Sequence, residues 1–153
     1  MNKKLNIKYT FSSNEDGQNY ISAFDDDRLI GFLRYKISDG KSWLYFVGVQ
    51  KEYRHLKEEQ IGSNLMHIFE NECAKRRVWG IEGKYYPKGE EGCVVKRFYE
   101  RNGYSIERED YDLIVYKSRP TKTDLKFQVE DMDFQKFDKY FQEYLSTNET
   151  EKE

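Results

Sequence analysis

A small-residue turn at the start of an amphipathic segment is the first place where residue types and spacing could do chemistry. Gly62 and Ser63 open a segment whose apolar side chains then recur every three or four positions. The first N–H groups of a helix lack intrahelical partners and carry partial positive charge, so they bind phosphate oxygens. Gly62 would let a ligand approach the backbone because it has no Cβ. The turn predicts a pyrophosphate site, but the same two residues also suit an ordinary helix start.

The cysteines and histidines of the sequence do not clearly indicate a metal site or a nucleophile. Cys73 and Cys93 do not have a metal-ligand spacing, and His55 and His67 fall in a loop and a helix, so we expect no metal. Cys93 heads a predicted helix, whose N-terminus would favour a thiolate. A lone cysteine beside Gly92 is also an ordinary small residue at a helix start.

The first third of the chain predicts short antiparallel strands joined by polar turns. Apolar residues alternate or run together over residues 5–11, 19–24, 29–37 and 42–49. We expect Leu29, Leu33, Tyr35 and Ile37 to share one face of the third strand. The fourth strand is nearly continuously apolar, which is typical of a strand covered on both faces.

The middle of the chain changes to helical spacing and back. An apolar stripe predicts a helix, with polar side chains such as Glu70 on the opposite face. A strand over residues 78–85, a loop over 87–92 and a second helix ending at Asn102 and Gly103 follow. Two final strands, over 104–109 and 112–118, complete an α+β or mixed α/β fold with one sheet. The stripe of the first helix comprises Ile61, Leu65, Ile68, Phe69 and Cys73.

A boundary at residues 119–123 separates a domain over 1–118 from an extension over 119–146. The extension carries an amphipathic stripe of Phe134, Phe137, Phe141, Tyr144 and Leu145, with Asp131 or Asp133 as its N-cap. The stripe could pack on its own domain, pair with a second copy, or form a wall of the acceptor site. We expect a disordered tail over residues 147–153.

Charge and hydropathy argue against a nucleic-acid-binding protein and against a membrane protein. The net charge is −2 and no long basic tract occurs, which weighs against a nucleic-acid partner. No apolar run is long enough to span a bilayer, and the two cysteines do not suggest an oxidising compartment. We therefore expect a cytoplasmic protein without a membrane partner.

Two motifs resemble the GNAT acetyltransferase superfamily. The first is VQKEYR at residues 49–54 followed by QIGSNL at 60–65, which is similar to the family's strand end, Tyr-Arg pair and glycine turn. The second is FYERNGY at 98–104, close to the family's later signature. The resemblance covers roughly residues 19–118. Gln60 stands at the family's first turn glycine, and Lys57 falls at its usual Arg or Gln.

The resemblance implies a GNAT-like fold: a mostly antiparallel sheet of about 6–7 strands, with helices on its faces and a C-terminal helix. It implies transfer of an acetyl group from acetyl-CoA to an amine by direct attack. The cofactor would lie between the fourth and fifth strands. The residues expected to bind it are Phe46, Val47, Val49, Lys57, Gln60, Ile61, Gly62, Ser63, Asn64 and Leu65.

The family's tyrosine position is occupied by Tyr99, which the resemblance assigns as general acid for the leaving thiolate; Tyr99 could also be a core aromatic. No general base is evident. The candidates are Glu82, Tyr45, Asp39 and His67, each of which could equally be structural or solvent-facing, and a water-mediated base is a further alternative.

Two other functions fit the same sequence. A degenerate GNAT domain would bind acyl-CoA or a protein partner without catalysis. An interaction protein would use its aromatic-rich sheet and terminal helix as a partner surface. The sequence does not name the acceptor amine, and a homodimer is an open alternative.

Overall fold

A computed structural model of the chain describes residues 5–54, 60–85, 89–109 and 112–151. Three helices are described: α1 Ile61–Lys75, α2 Gly89–Arg101 and α3 Phe134–Glu151. A 3₁₀ turn, Lys51–Tyr53, follows the fourth strand. The strands are β1 Ile7–Ser13, β2 Asn19–Asp25, β3 Arg28–Ser38, β4 Lys41–Val49, β5 Gly80–Tyr85, β6 Ser105–Glu109, β7 Asp112–Lys117 and β8 Val129–Asp131.

The described strands form one mixed sheet in the order β6-β7-β5-β4-β3-β2-β1-β8. Every neighbouring pair is antiparallel except β4 with β5 and β1 with β8. The predicted α/β class and mostly antiparallel sheet are confirmed. The eighth strand was not predicted, because three residues are too few to show a strand period.

The parallel strands β4 and β5 separate along their length. They pair from Lys41 with Gly80 to Leu44 with Gly83, and β4 then continues to Val49 without pairing to β5. Helix α1 connects the two strands, so its first turn follows directly after the diverging end of β4. The resemblance to the GNAT superfamily implies that the cofactor would lie in this opening between the fourth and fifth strands.

The two faces of the sheet carry separate cores. On one face, α1 and Tyr99 of α2 pack with the inner residues of β1 to β5. On the other face, Phe137 and Tyr144 of α3 are buried with Tyr20, Phe24 and Phe32 of the sheet. The C-terminal stripe therefore packs on its own domain, as the first of the three interpretations held.

Helix α3 begins after Asp133, whose carboxylate accepts the Gln135 N–H at 3.1 Å, so Asp133 acts as the N-cap. The helix continues to Glu151, past residue 147, where we expected the disordered tail to begin. Leu145, the last residue of the predicted stripe, is exposed.

Two bulges change which side chains share a face. In β3, Leu29 pairs with Phe24 while Gly31 pairs with Ala23, so Ile30 is an extra residue. Leu29 consequently packs on the α3 face, and the prediction that it shares a face with Leu33 and Tyr35 was wrong.

A second bulge lies in β4, where Phe46 pairs with Arg34 and Leu44 with Tyr35, leaving Tyr45 extra. Tyr45 and Phe46 both lie on the outer face, and both are exposed. The prediction that β4 is covered on both faces was therefore wrong for its outer face.

Two boundaries also differ from the predictions. Helix α2 begins at Gly89, inside the loop expected over residues 87–92, and β5 begins at Gly80 rather than at residue 78. In the part of the chain that is described, no helix combines the length and apolar character needed to cross a membrane.

Candidate active site

The site is built around the first turn of α1. Gln60 precedes the helix in a left-handed conformation, with φ 42° and ψ 49°. The first helical hydrogen bond runs from the Asn64 N–H to the Gln60 carbonyl at 2.9 Å. The N–H groups of Ile61, Gly62 and Ser63 come before it, and no side chain in the described residues caps the helix. Such a turn presents backbone donors and the positive end of the helix to an anion.

Gly62 lies where three elements meet. A Cβ at this position would stand 3.1 Å from the Phe98 ring of α2 and 3.8 Å from Val49 Cγ2 at the end of β4. A larger residue at position 62 would therefore require the Phe98 ring to move by a few tenths of an ångström. The structure supplies a packing reason for Gly62 in addition to the phosphate approach that the sequence suggested.

Residues 50–54, directly after β4, are held in place by three hydrogen bonds. Arg54 Nε donates to the Val49 carbonyl at 2.6 Å, and the Gln50 N–H donates to the Ile30 carbonyl at 2.7 Å. Tyr53 donates its hydroxyl to Asp25 Oδ2 at 2.8 Å. Partial burial and then this bond to Asp25 raise the pKa of Tyr53. Lys57, a predicted cofactor contact, lies outside the described residues.

Asn64 and Leu65 hold α1 against the sheet. Asn64 Nδ2 donates to the Tyr9 hydroxyl at 2.9 Å, and Leu65 is fully buried in the core. Their backbone N–H groups lie beyond the first turn, where a helix uses N–H groups for its own hydrogen bonds. Both side chains therefore position the turn, and Ser63, half-buried, stands at the turn itself.

The end of β4 has a backbone edge at the opening that is not paired with β5. Val47 and Val49 face α1, whereas Phe46 faces outward and stacks on Phe32 with ring centroids 4.6 Å apart. From Tyr45 onward this strand is bonded to β3 on one side and is not paired with β5 on the other. An extended ligand could therefore bond to this edge as an added strand would.

Tyr99 lies in the core beside the site. It is 6% exposed, with its ring centroid 5.6 Å from that of Phe98 and 5.8 Å from that of Tyr104. This packing agrees with the interpretation of Tyr99 as a core aromatic. The role of its hydroxyl as general acid for the leaving thiolate remains a prediction.

The four candidate bases lie in three different parts of the fold. Glu82 and Tyr45 lie on the outer face beside the opening: Glu82 accepts from Lys41 Nζ, and the Arg34 guanidinium lies 5.4 Å from the Tyr45 ring centroid. Asp39 is an exposed turn residue, and His67 lines a cavity of about 310 Å³ beside Glu70 and Arg101. The side chain of Cys93 is outside what the structure describes.

Sequence analysis missed a buried carboxylate. Glu70, predicted on the polar face of α1, is 3% exposed. It accepts hydrogen bonds from Lys117 Nζ at 2.7 Å, the Thr121 N–H at 2.8 Å and the Tyr104 hydroxyl at 3.2 Å. Burial, and then the Glu70 charge, raise the pKa of Tyr104. The network ties the segment after β7 to α1. The sequence held one signal of this burial: Glu70 directly follows Phe69, a member of the apolar stripe of α1.

No group of three or more His, Cys, Asp or Glu side chains among the described residues is arranged to hold a metal ion.

Comparison with known proteins identifies relatives of this chain. Residues 16–106 match the family model described as acetyltransferase (GNAT) domain. A curated spermidine N(1)-acetyltransferase of Thermoplasma acidophilum is 32% identical over 91 residues, which are 60% of this chain and 53% of the relative. The chain thus spans about half the length of that relative.

Solved structures have the same fold. The PaiA N-acetyltransferase of Thermoplasma acidophilum, solved in complex with coenzyme A, aligns with a TM-score of 0.58 at 28% identity over 67% of this chain and 61% of that chain. An acetyltransferase of Streptococcus agalactiae aligns with a TM-score of 0.58 at 17% identity, covering 67% of each chain. The ribosomal-protein-S18-alanine N-acetyltransferase of Escherichia coli aligns at 0.55 and 13% identity over 74% and 75%.

Proposed function

This chain belongs to the GNAT acetyltransferase family, and from that premise we propose that it transfers the acetyl group of acetyl-CoA to a primary amine. The family match covers more than half of the chain and confirms the resemblance drawn from the two sequence motifs. The observation that carries the proposal is the opening between β4 and β5 next to the first turn of α1, which no described side chain caps.

The opening and the turn suit the two polar parts of acetyl-CoA. The N–H groups of Ile61, Gly62 and Ser63 would bind the pyrophosphate, because the helix end supplies donors and positive potential. The edge of β4 from Phe46 to Val49, which is not paired with β5, would bind the amides of the pantetheine arm, apart from the Val49 carbonyl, which accepts from Arg54 Nε. A relative solved with coenzyme A, the PaiA N-acetyltransferase, supports this assignment.

The chemistry is direct transfer. The lone pair of a neutral amine attacks the thioester carbonyl carbon and the C–S bond breaks. As the amide forms, the amine loses one proton to water or to one of the candidate bases, and this proton balances the one that the leaving thiolate takes up. The departing thiolate takes a proton, for which Tyr99 is the proposed donor because a phenol is protonated at neutral pH. Holding both substrates in one opening supplies much of the rate enhancement by orientation.

The test compares two thioesters. Titration calorimetry should show micromolar binding of acetyl-CoA and much weaker binding of S-acetylpantetheine, which has the same thioester but no pyrophosphate. Equal binding of the two would contradict the role of the α1 turn.

Turnover is then measured as thiol released from acetyl-CoA in the presence of a panel of amines. Acetyl-CoA binding without release of thiol on any amine would favour the degenerate domain. No binding of acetyl-CoA by the folded protein would contradict the proposed function altogether.

A further inference from the structure

A row of aromatic rings connects the C-terminal helix to β4. Helix α3 contributes Phe141 and Tyr144, which pack edge-on against Phe32 of β3 with ring centroids 5.0 Å and 5.4 Å away. Phe32 in turn stacks on Phe46 of β4, with centroids 4.6 Å apart and an interplanar angle of 25°. We call Tyr144, Phe32 and Phe46 the aromatic row. It leads from the C-terminal extension to the strand edge at the opening.

The aromatic row passes from the core to the surface. Tyr144 and Phe32 are 7% and 5% exposed, whereas Phe46 is 41% exposed. Among the residues that the structure describes, Phe32 is the one ring that contacts the Phe46 ring. The orientation of the exposed ring therefore depends on a buried ring that α3 covers.

The Phe46 ring lies over the backbone of Gly48. A Cβ built on Gly48 would stand 2.6 Å from Phe46 Cζ, so the ring occupies the place of a side chain at that position. Gly48 also pairs with Phe32 on β3, which brings both stacked rings to the same stretch of β4. That stretch lies within the edge from Phe46 to Val49 that is not paired with β5.

A glycine in the middle of a binding edge has a physical consequence. Glycine has more backbone freedom than any other residue, and a ligand that adds to a strand edge must overcome the entropy lost when that edge is ordered. The Phe46 ring restricts Gly48 on the outer face, while Val47 and Val49 pack into the core on the inner face. The edge is therefore ordered before a ligand arrives.

We propose that α3 is a structural part of the acetyl-CoA site, because Tyr144 positions Phe32, Phe32 positions Phe46, and Phe46 holds the β4 edge that binds the pantetheine arm. The inference rests on the proposed function and extends it to the C-terminal extension, which lies outside the family match over residues 16–106. Tyr144 and Phe32 act through Phe46 and are positioning residues.

A matched control lies one turn earlier on α3. Tyr140 packs edge-on against Phe24 with ring centroids 5.1 Å apart, much as Tyr144 packs on Phe32. Phe24 belongs to β2, which is not a neighbour of β4 in the sheet. Tyr140→Ala and Tyr144→Ala therefore remove the same kind of contact from the same helix, but only Tyr144 belongs to the aromatic row.

Titration calorimetry with acetyl-CoA tests the aromatic row, and urea unfolding checks that each variant is folded. Tyr144→Ala should weaken binding about threefold, the size expected for the loss of one aromatic pair, and Tyr140→Ala should leave the affinity unchanged. Phe32→Leu keeps an apolar side chain without the stacking ring and should weaken binding similarly. It serves as the second variant where Tyr144→Ala does not fold. Tyr144→Phe keeps the ring and should restore the affinity.

A second ligand separates the strand edge from the first turn of α1. Adenosine 3′,5′-bisphosphate carries nucleotide phosphates of coenzyme A but lacks the pantetheine arm. Tyr144→Ala should leave its affinity unchanged, because the contacts of the aromatic row end at β4. Equal losses for this ligand and for acetyl-CoA would indicate a general loosening of the fold and would overturn the inference.

A double-mutant cycle tests whether Tyr144 acts through Phe46. Phe46→Ala should weaken acetyl-CoA binding about fivefold, and adding Tyr144→Ala to it should cause no further loss. Additive losses would show two independent effects and would overturn the aromatic row as a connection.

The outcomes are separable from those of the proposed function. Acetyl-CoA binding by the wild type, with the same affinity in Tyr144→Ala and Tyr140→Ala, would overturn this inference and leave the proposed function standing. No binding of acetyl-CoA by the folded wild type would overturn the proposed function and this inference together.

Discussion

The Phe98 ring of α2 lies against the backbone of Gly62 in the first turn of α1, so that a Cβ at Gly62 would stand 3.1 Å from Phe98 Cε2. This contact joins the helix that follows β4 to the helix that follows β5. The contact therefore links the proposed phosphate-binding turn directly to the helix that carries Tyr99.

Replacing Gly62 by Ala should weaken acetyl-CoA binding about fivefold, because the Phe98 ring and the first turn must move apart by a few tenths of an ångström. Titration calorimetry measures the change. Gly80→Ala is the matched control, since a Cβ there would meet its nearest atoms at an ordinary 3.9 Å. Adding Phe98→Leu to Gly62→Ala should restore part of the affinity. Equal effects at Gly62 and Gly80 would contradict the packing argument.

Replacing Gln60 by Gly should raise the free energy of unfolding by about 0.5–1 kcal/mol, since Gln60 has a positive φ that glycine adopts without strain. Urea unfolding measures the change. Gln60→Ala keeps the same backbone penalty and should give no gain. A destabilised Gln60→Gly variant would show that the Gln60 side chain contributes more than its conformation costs.

Replacing Glu70 by Gln should lower the free energy of unfolding by about 3 kcal/mol, because it leaves the mostly buried Lys117 ammonium without its carboxylate. Glu72→Gln is the control two residues away on the same helix. The Glu72 carboxylate is 3.9 Å from Arg76 and partly exposed, so its loss should cost well under 1 kcal/mol. Similar losses in the two variants would argue against a special role for Glu70.

Replacing Tyr99 by Phe should lower kcat at least tenfold with little change in KM, if Tyr99 protonates the leaving thiolate. Thiol release on the best amine of the panel measures both constants. Tyr104→Phe removes the neighbouring buried hydroxyl, which donates to Glu70, and should lower stability while leaving kcat near that of the wild type. An unchanged kcat in Tyr99→Phe would leave Tyr99 as a core aromatic only.

Stability should decline as the pH rises above 9. Burial raises the pKa of the Cys73 thiol from 9.0 to about 12, so the unfolded thiol loses its proton first. The contribution of this thiol to the free energy of unfolding is therefore fully present below pH 9. It decreases between pH 9 and 12, by up to about 1.4 kcal/mol per pH unit.

Burial also raises the pKa of Tyr35 and Tyr104, which adds to the decline above pH 10. Urea unfolding at several pH values should show a shallower decline for Cys73→Ala between pH 9 and 10. An identical decline in the wild type and this variant would assign the effect to other groups.

Much of the fold followed from sequence periodicity. The stripe from Ile61 to Cys73 predicted α1, because one buried face at helical spacing is a local property of the chain. Alternation likewise predicted most strands, and the stop at Asn102 and Gly103 predicted the end of α2, where Gly103 has φ +90°. The motifs at residues 49–65 and 98–104 indicated the family because they combine residue types with element order.

The faces of the strands were less predictable, because a bulge adds one residue and reverses the alternation beyond it. The bulge at Ile30 places Leu29 on the α3 face, and the bulge at Tyr45 leaves both Tyr45 and Phe46 on the outer face. A bulge depends on how a strand pairs with its neighbour, and the apolar pattern of one strand carries no information about that pairing.

The sequence by itself determined most of the element types, the family and the turn at Gly62, since each depends on residues close together in the chain. Only the tertiary structure decided that Phe98 packs on Gly62, that Glu70 is buried with Lys117, and that α3 leaves β4 uncovered. Each of those features is a contact, or a missing contact, between residues far apart in sequence. Close packing and the need to pair buried charges decide which residues meet.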